Sequence, residues 1–173
     1  MNTRAILKAG LAVLLIIAAA AAWFTRDQRQ INRNLHRLQQ LVSKSAEEKT
    51  IGGLIRAKEI TGYFAVPVNV ELGPPFPGFS DRNELAAAIH HARSMTREIK
   101  VTIRNKTLDI APDRVSAKMA LAAEAVVTMG GQTDRDIREF RLTWVKEQGK
   151  WLISKVELKE TIRRPQGLGD SYF

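Results

Sequence analysis

The neighbouring histidines His90 and His91, in "NELAAAIHHARSMT", are the residues of this 173-residue chain best suited to move a proton near neutral pH. At adjacent positions they point to different sides of a helix, so they cannot form the i, i+4 pair that grips a metal from one face. There is no cysteine, which removes thiolate nucleophiles, thiolate metal sites and disulfides. The sequence also lacks a phosphate loop, a nucleophile elbow and a dinucleotide fingerprint. We therefore expect no metal and no cofactor. Counted at about 100° per residue from Leu85, His90 lies almost opposite the apolar stripe of its helix and His91 lies at the flank. On that count His91 is the histidine that could reach a pocket. Tyr63, beside Glu59 at the end of an earlier helix, and Trp144, on a later strand, complete the set of pocket candidates. No residue is assigned a catalytic role.

Two further groups could contact partners. The loop "GPPFPGFS" sets Phe76 and Phe79 among prolines. These rings form either a lid over the core or a docking surface kept in shape by the prolines. Arg26, Arg29, Arg33 and Arg37 recur on one helical face, opposite Ile31, Leu35, Leu38 and Val42. They form a solvated face or contact lipid phosphates. The formal net charge is +9, spread along the chain, and aromatic residues make up only 6%. Diffuse charge with few stacking platforms argues against nucleic acid as a partner.

The elements that position these residues begin with an apolar run. Residues 9–25, "AGLAVLLIIAAAAAWFT", carry no charge and lie between Lys8 and Arg26. With Ala5, Ile6 and Leu7 the run nears the roughly 20 residues that span a bilayer, and Trp23 and Phe24 fall where interfacial aromatics sit. The run exceeds the usual 7–15 apolar residues of a cleaved signal peptide, so a retained anchor is expected over cleavage near Ala20–Ala22. Counting positive charges on each side would keep the following domain in the cytoplasm, whereas a short basic tail before an apolar segment normally exports it. The reading adopted is a single pass through a bacterial inner membrane with the domain on the periplasmic side. Partners are then the membrane through residues 5–25 and a protein or a second copy of the chain, with a small molecule left open.

After the anchor, a helix with a leucine stripe is followed by a shorter one in "TIGGLIRAKEITGYF", with Ile51, Leu54 and Ile55 on its core side. "VPVNVEL" alternates as a strand. Asp81 or Ser80 caps a helix through "DRNELAAAIHHARSMT", its stripe being Leu85, Ile89, Ala92 and Thr96. Four strands joined by "APDR", "GGQTD" and "QG" complete the domain as a meander. On them Val115, Ala117, Met119, Leu121, Ala123, Ala125 and Val127 share one face, as do Phe140, Leu142 and Trp144. The fold class is α+β: a transmembrane helix, then a curved antiparallel sheet wrapped on helices in the order helix, helix, strand, helix, four-strand meander. The expected boundaries are 1–25 for the anchor, 26–163 for the domain and 164–173 for a short tail.

The long first helix, the insertion "GFSDRNELAAAIHHAR" and the closing "FRLTWVKEQGKWLISKVEL" resemble the nuclear transport factor 2-like superfamily of cystatin-like α+β cones, over roughly residues 28–163. The resemblance implies that Trp144 and Trp151 plug the cone. It also implies two functional expectations. Membrane-held relatives in secretion and lipid import place such a cone after one anchor, pointing to a non-catalytic interaction or scaffold domain of the envelope. The alternative is a small-molecule-binding, isomerase-like or dehydratase-like domain, since enzymes of the superfamily work with an Asp, His or Tyr projecting into the cone. On the strand parity no acidic side chain points inward, which places the enzyme second.

Overall fold

A computed structural model describes residues 25–48, 50–73 and 78–161. The expected anchor lies outside them apart from Thr25, as do Phe76 and the tail. No helix among the described residues is long and apolar enough to cross a membrane.

Helix α1 occupies residues 25–42. Its sequence repeats large apolar residues every three or four positions, and these are the ones it buries: Ile31, Leu35, Leu38 and Leu41. The expected stripe is thus present, with Leu41 taking the central place expected of Val42. Arg26, Arg29, Arg33 and Arg37 lie exposed on the other side.

Helix α2, Thr50–Thr61, buries a different face from the expected one. Leu54 and Ile55 are exposed, whereas Gly53, Ala57 and Ile60 face inward. The cause is close packing against the next helix. A Cβ on Gly53 would come within 3.7 Å of the His90 ring, so only a small residue lets the two helices approach. Helix α3, Arg82–Met95, starts at Asp81, whose carboxylate accepts from the amides of Asn83 and Glu84 as an N-cap.

The strands are β1 (Phe64–Glu71), β2 (Glu98–Ile110), β3 (Ser116–Met129), β4 (Gln132–Glu147) and β5 (Lys150–Thr161). They form one curved sheet in the order β1-β5-β4-β3-β2. The β2–β5 meander is antiparallel, as its short turns require; Gly130–Gly131 and Gln148–Gly149 each take the positive φ angles of tight hairpin turns. Strand β1, however, runs parallel to β5, so the sheet is mixed rather than antiparallel. Strand β1 is joined to β5 through α3 and the whole meander, a connection long enough for the two to run in the same direction. Pro67 has no amide proton to give a neighbour, and the β1–β5 register shifts between Phe64 and Asn69 around it.

Each outer edge of the sheet is bridged at one point. Lys44, just after α1, exchanges backbone hydrogen bonds with Ile99 on β2, and Phe79 does the same with Val70 on β1. Such pairing blunts edges that would otherwise recruit foreign strands. The inner face carries Ala117, Met119 and Leu121 from β3, Leu142 and Trp144 from β4, and Trp151 and Ile153 from β5. These meet the α1 stripe in one continuous core.

Arg93 is the most deeply buried cation of the fold among the described residues, 3% exposed on α3. Its guanidinium donates to the carbonyl oxygens of Leu41 and Val42, which end α1 without helical partners, at 2.9 and 2.8 Å. It also forms a forked pair with Glu48, 2.7 Å to each oxygen. In return, the Lys44 amine donates to the carbonyl oxygens of Arg93 and Thr96 at the end of α3. Each helix thus supplies the cation that satisfies the other's negative end.

Candidate functional site

The sequence gives no sign of the buried polar group that ties α1 to the sheet. Asp27 lies one turn before Ile31 on the buried stripe and is 4% exposed. Its Oδ1 accepts from Lys146 Nζ at 2.7 Å and from Trp151 Nε1 at 3.1 Å, and its Oδ2 accepts from Arg114 at 3.0 Å. The Lys146 ammonium also lies 5.6 Å from the centre of the Trp151 ring, within reach of its negative face. Burial is the largest influence on the Asp27 carboxyl and raises its pKa. The hydrogen bonds from Lys146 and Trp151 and the charges of Lys146 and Arg114 together outweigh it, so the pKa falls below its ordinary value.

An inward carboxylate therefore exists, against the expectation from strand parity, because it arrives from the helix. The same β4 register places Asp136 opposite Ala125 on the inner parity too, where it takes a 2.5 Å ion pair from Arg138. Asp27 is unsuited to proton transfer: a general base works best with a pKa near the operating pH, and this one is held lower with both oxygens engaged. It acts as a clamp. Asp27→Asn should therefore cost about 1.5–3 kcal/mol at neutral pH, the usual worth of hydrogen bonds to a charged group. A depressed folded-state pKa contributes stability above the unfolded value of 3.8, and that stability is lost as the pH falls through the folded pKa. The gap between wild type and Asp27→Asn in urea melts should hold at pH 7 and close as the pH drops below 3.8.

Between α1 and β2 runs a shallow groove with two widenings. One, of about 230 Å³, is lined by Leu35, His36 and Gln39 from α1 and by residues 103–106 of β2. The other, of about 250 Å³, lies between Thr25 and Gln28 on one side and Leu108 and Ile110 on the other. A bulge shapes the first: the β2 register shifts between Arg104 and Thr107, with Asn105 in the left-handed region at φ 38°. His36 shares a 3.0 Å hydrogen bond with Gln40. Asn32 falls between the two widenings along the helix, and its Oδ1 is buried without a hydrogen-bond partner. Small-molecule sites usually occupy about 300–1,000 Å³, so each widening is below that scale.

The residues singled out in the sequence do not converge. Trp144 is fully buried in the core, its Nε1 without a hydrogen-bond partner. Tyr63 is half-buried against the same core, and its carbonyl accepts from Ile153. His91 is exposed, and the histidine turned toward a neighbouring helix is His90. The reversal follows from Arg93. By burying itself to cap α1, it shifts the inward arc of α3 to Leu85, Ile89 and Arg93, leaving Ala92 exposed and His91 facing away. Phe79 is half-buried, tucked against the core beside β1. Arg37 pairs with Glu59 at 3.1 Å on the surface; Arg26, Arg29 and Arg33 have no carboxylate partner among the described residues. No group of His, Asp and Glu side chains among the described residues is arranged to hold a metal ion.

A cone of three helices on a curved mixed sheet, with two tryptophans at its centre, has clear structural counterparts. The chain has the nuclear transport factor 2-like fold. A putative scytalone dehydratase from Novosphingobium aromaticivorans superposes with a TM-score of 0.65 at 17% identity, over 80% of this chain and 86% of that one. A nuclear transport factor 2-like superfamily protein from Salmonella enterica serovar Typhimurium gives 0.64 at 13%, over 86% and 99%. A putative calcium/calmodulin dependent protein kinase II association domain from Xanthomonas campestris gives 0.55 at 15%, over 86% and 88%. No family model matches the sequence, and neither does any curated protein. At these identities the likeness establishes the fold and leaves activity open.

Proposed function

We propose that the domain works by association, as an interaction module held at a bacterial envelope membrane, rather than by turnover. The observation that carries this reading is the filled interior. Trp144, Trp151 and Met119 crowd the centre of the cone among the described residues, and none has measurable exposure. The only inward carboxylate buried there, among the described residues, is spent on Lys146, Arg114 and Trp151. The membrane part of the reading is supported by the uncharged apolar sequence of residues 9–25 and by the exposed arginines that follow it. Among the structural counterparts, one is described as an association domain and another as a putative dehydratase; the filled cone favours the first comparison.

The outer face of the sheet supplies a surface suited to a second copy. Ala120 and Ala122 keep its middle flat, and Val126 and Ile137 lie half-buried nearby. Glu124 sits on this face between Arg104, at 2.6 Å, and Arg135. The hydrogen bond from Arg104, ahead of every other influence, lowers the Glu124 pKa, so the carboxylate stays ionised and fixed. The existing pairing repays part of the cost of covering Arg104, Glu124 and Arg135, while the half-exposed arginines must still give up hydration. Purified full chain in detergent should elute as a dimer or larger species, and Ala120→Arg, at an exposed position, should return it to monomer with an unchanged circular dichroism spectrum at low temperature. Identical elution of the two proteins would remove this face as the interface.

A pocket domain is the second reading. It is favoured by the unpartnered Asn32 Oδ1 beside the α1–β2 groove. It ranks lower because neither widening, at about 230 and 250 Å³, reaches the usual ligand scale.

A further inference from the structure

We infer that one end of the cone, built from residues 26–33 of α1 and the β2–β3 and β4–β5 turns, is a docking surface for an anionic phospholipid leaflet. This rests on the reading of residues 5–25 as a membrane segment. Asp27 brings the three pieces together: Arg114 reaches it from the β2–β3 turn, and Lys146 from the strand that leads into the β4–β5 turn. Gln30 Nε2 contacts the Gly149 carbonyl at 3.5 Å, and Asn34 donates to the Trp151 carbonyl at 2.9 Å, fixing α1 against that second turn.

The charge at this end is lopsided. Arg26, Arg29 and Arg33 project from α1 and Lys150 from the β4–β5 hairpin, all exposed. The acidic groups close by are largely committed elsewhere. Asp27 is enclosed by its own cations, and Asp113 accepts from the Val115 and Ser116 amides within its turn. Exposed Asp113 and Glu147, with Asp109 just before the turn, are the anions that face the four exposed cations Arg26, Arg29, Arg33 and Lys150. Val115, 52% exposed where the β2–β3 turn joins β3, adds an apolar contact beside the cations. Arginine forks pair well with phosphate oxygens, and an apolar side chain beside them can enter the headgroup layer. Arg37 takes no part, being turned to Glu59. A lipid leaflet is the occupant because the uncharged run of residues 9–25 leads directly into Arg26, so a membrane that holds the run lies against this end of the domain.

The absence of cysteine allows single labels on the full chain. Val115→Cys, carrying an environment-sensitive fluorophore, would be reconstituted into vesicles of phosphatidylcholine alone or of a one-to-three mixture of phosphatidylglycerol and phosphatidylcholine. Headgroup-bound spin quenchers report approach to the leaflet. The expected result is several-fold stronger quenching with phosphatidylglycerol, abolished by high salt and by the triple variant Arg26→Gln, Arg29→Gln, Arg33→Gln. A label at Met129→Cys, exposed on the β3–β4 turn at the far end, should show none of this. Equal quenching at Val115 in both vesicles, or equal response at Met129, overturns the docking surface. If the chain floats with both vesicles after a salt wash yet the Val115 label is silent, this inference alone falls. If it floats with neither, the membrane reading falls with it.

Discussion

Replacing Trp144 with alanine is expected to lower stability by about 3–5 kcal/mol, the usual range for truncating a large buried aromatic. Trp144 has no exposed surface, and its register neighbours on the inner face, Ala117 and Ile153, are buried as well. Burying roughly 150–250 Å² of aromatic side chain at about 25 cal/mol per Å² contributes about 4–6 kcal/mol. Against this stands the unpartnered Nε1, a buried donor whose lost hydration costs about 1–3 kcal/mol and which alanine would remove. The two terms leave about 1–5 kcal/mol, and the cavity that alanine would leave raises the loss toward the empirical range. Glu139, exposed on the opposite face beside Ala122, provides the control: its alanine variant should shift stability by less than about 0.5 kcal/mol. Urea melts of both variants measure the difference, and a wild-type midpoint for Trp144→Ala would refute the filled-cone account on which the association reading depends.

Arg93→Met should be equally severe, about 3–5 kcal/mol, as for removing one partner of a buried ion pair. Methionine keeps much of the stem volume but leaves the Leu41 and Val42 carbonyl oxygens without a donor. Glu48 would keep Arg56, 3.2 Å away, so its charge is not stranded entirely. Arg56 itself is 44% exposed, and Arg56→Met should cost no more than about 1 kcal/mol, as exposed pairs do. Arg93→Lys should recover only part of the loss, since a single ammonium cannot reproduce the fork that spans Glu48 and two carbonyl groups. Chemical denaturation in low and high salt separates the cases: the Arg93 deficit should persist in salt, because the pair is shielded from counter-ions. An Arg93→Met variant as stable as Arg56→Met would mean that α1 ends without need of this cap.

The strand pattern was readable because side chains alternate strictly. Ala117, Met119, Leu121, Leu142 and Trp144 do face the core, and a one-residue slip would have exposed all of them. The α1 stripe was readable for the same reason at helical spacing. Asp27 was not. Between Arg26 and Gln28 it looks like part of a solvated face, and its three partners lie 87, 119 and 124 positions away in the chain. Arg93 violates the rule that buried arcs are apolar. One signal existed: the sequence after Val42 offers no glycine to close α1, so its last carbonyl groups required a donor from elsewhere. The α2 face was misread because burial there is decided by closeness of approach, which favours Gly53 and Ala57 over the larger Leu54 and Ile55. The parallel partner of β1 depends on a pairing across most of the domain, which local patterning does not encode.

That pairing has a consequence for how the chain is made. Strands β2 to β5 each find their neighbour next in sequence, so they can zip together as they emerge from the ribosome. Phe64 must wait for Ile153, and Asp27 must wait for Lys146 and Trp151. The first strand therefore remains without its sheet partner, and the first helix with only part of its own, until the last strand has been synthesised. Throughout that interval Ile31, Leu35, Leu38 and Leu41 lack the Trp151 and Ile153 part of the face they cover, which makes the half-made chain a client for chaperones and any early stop codon ruinous for the whole domain.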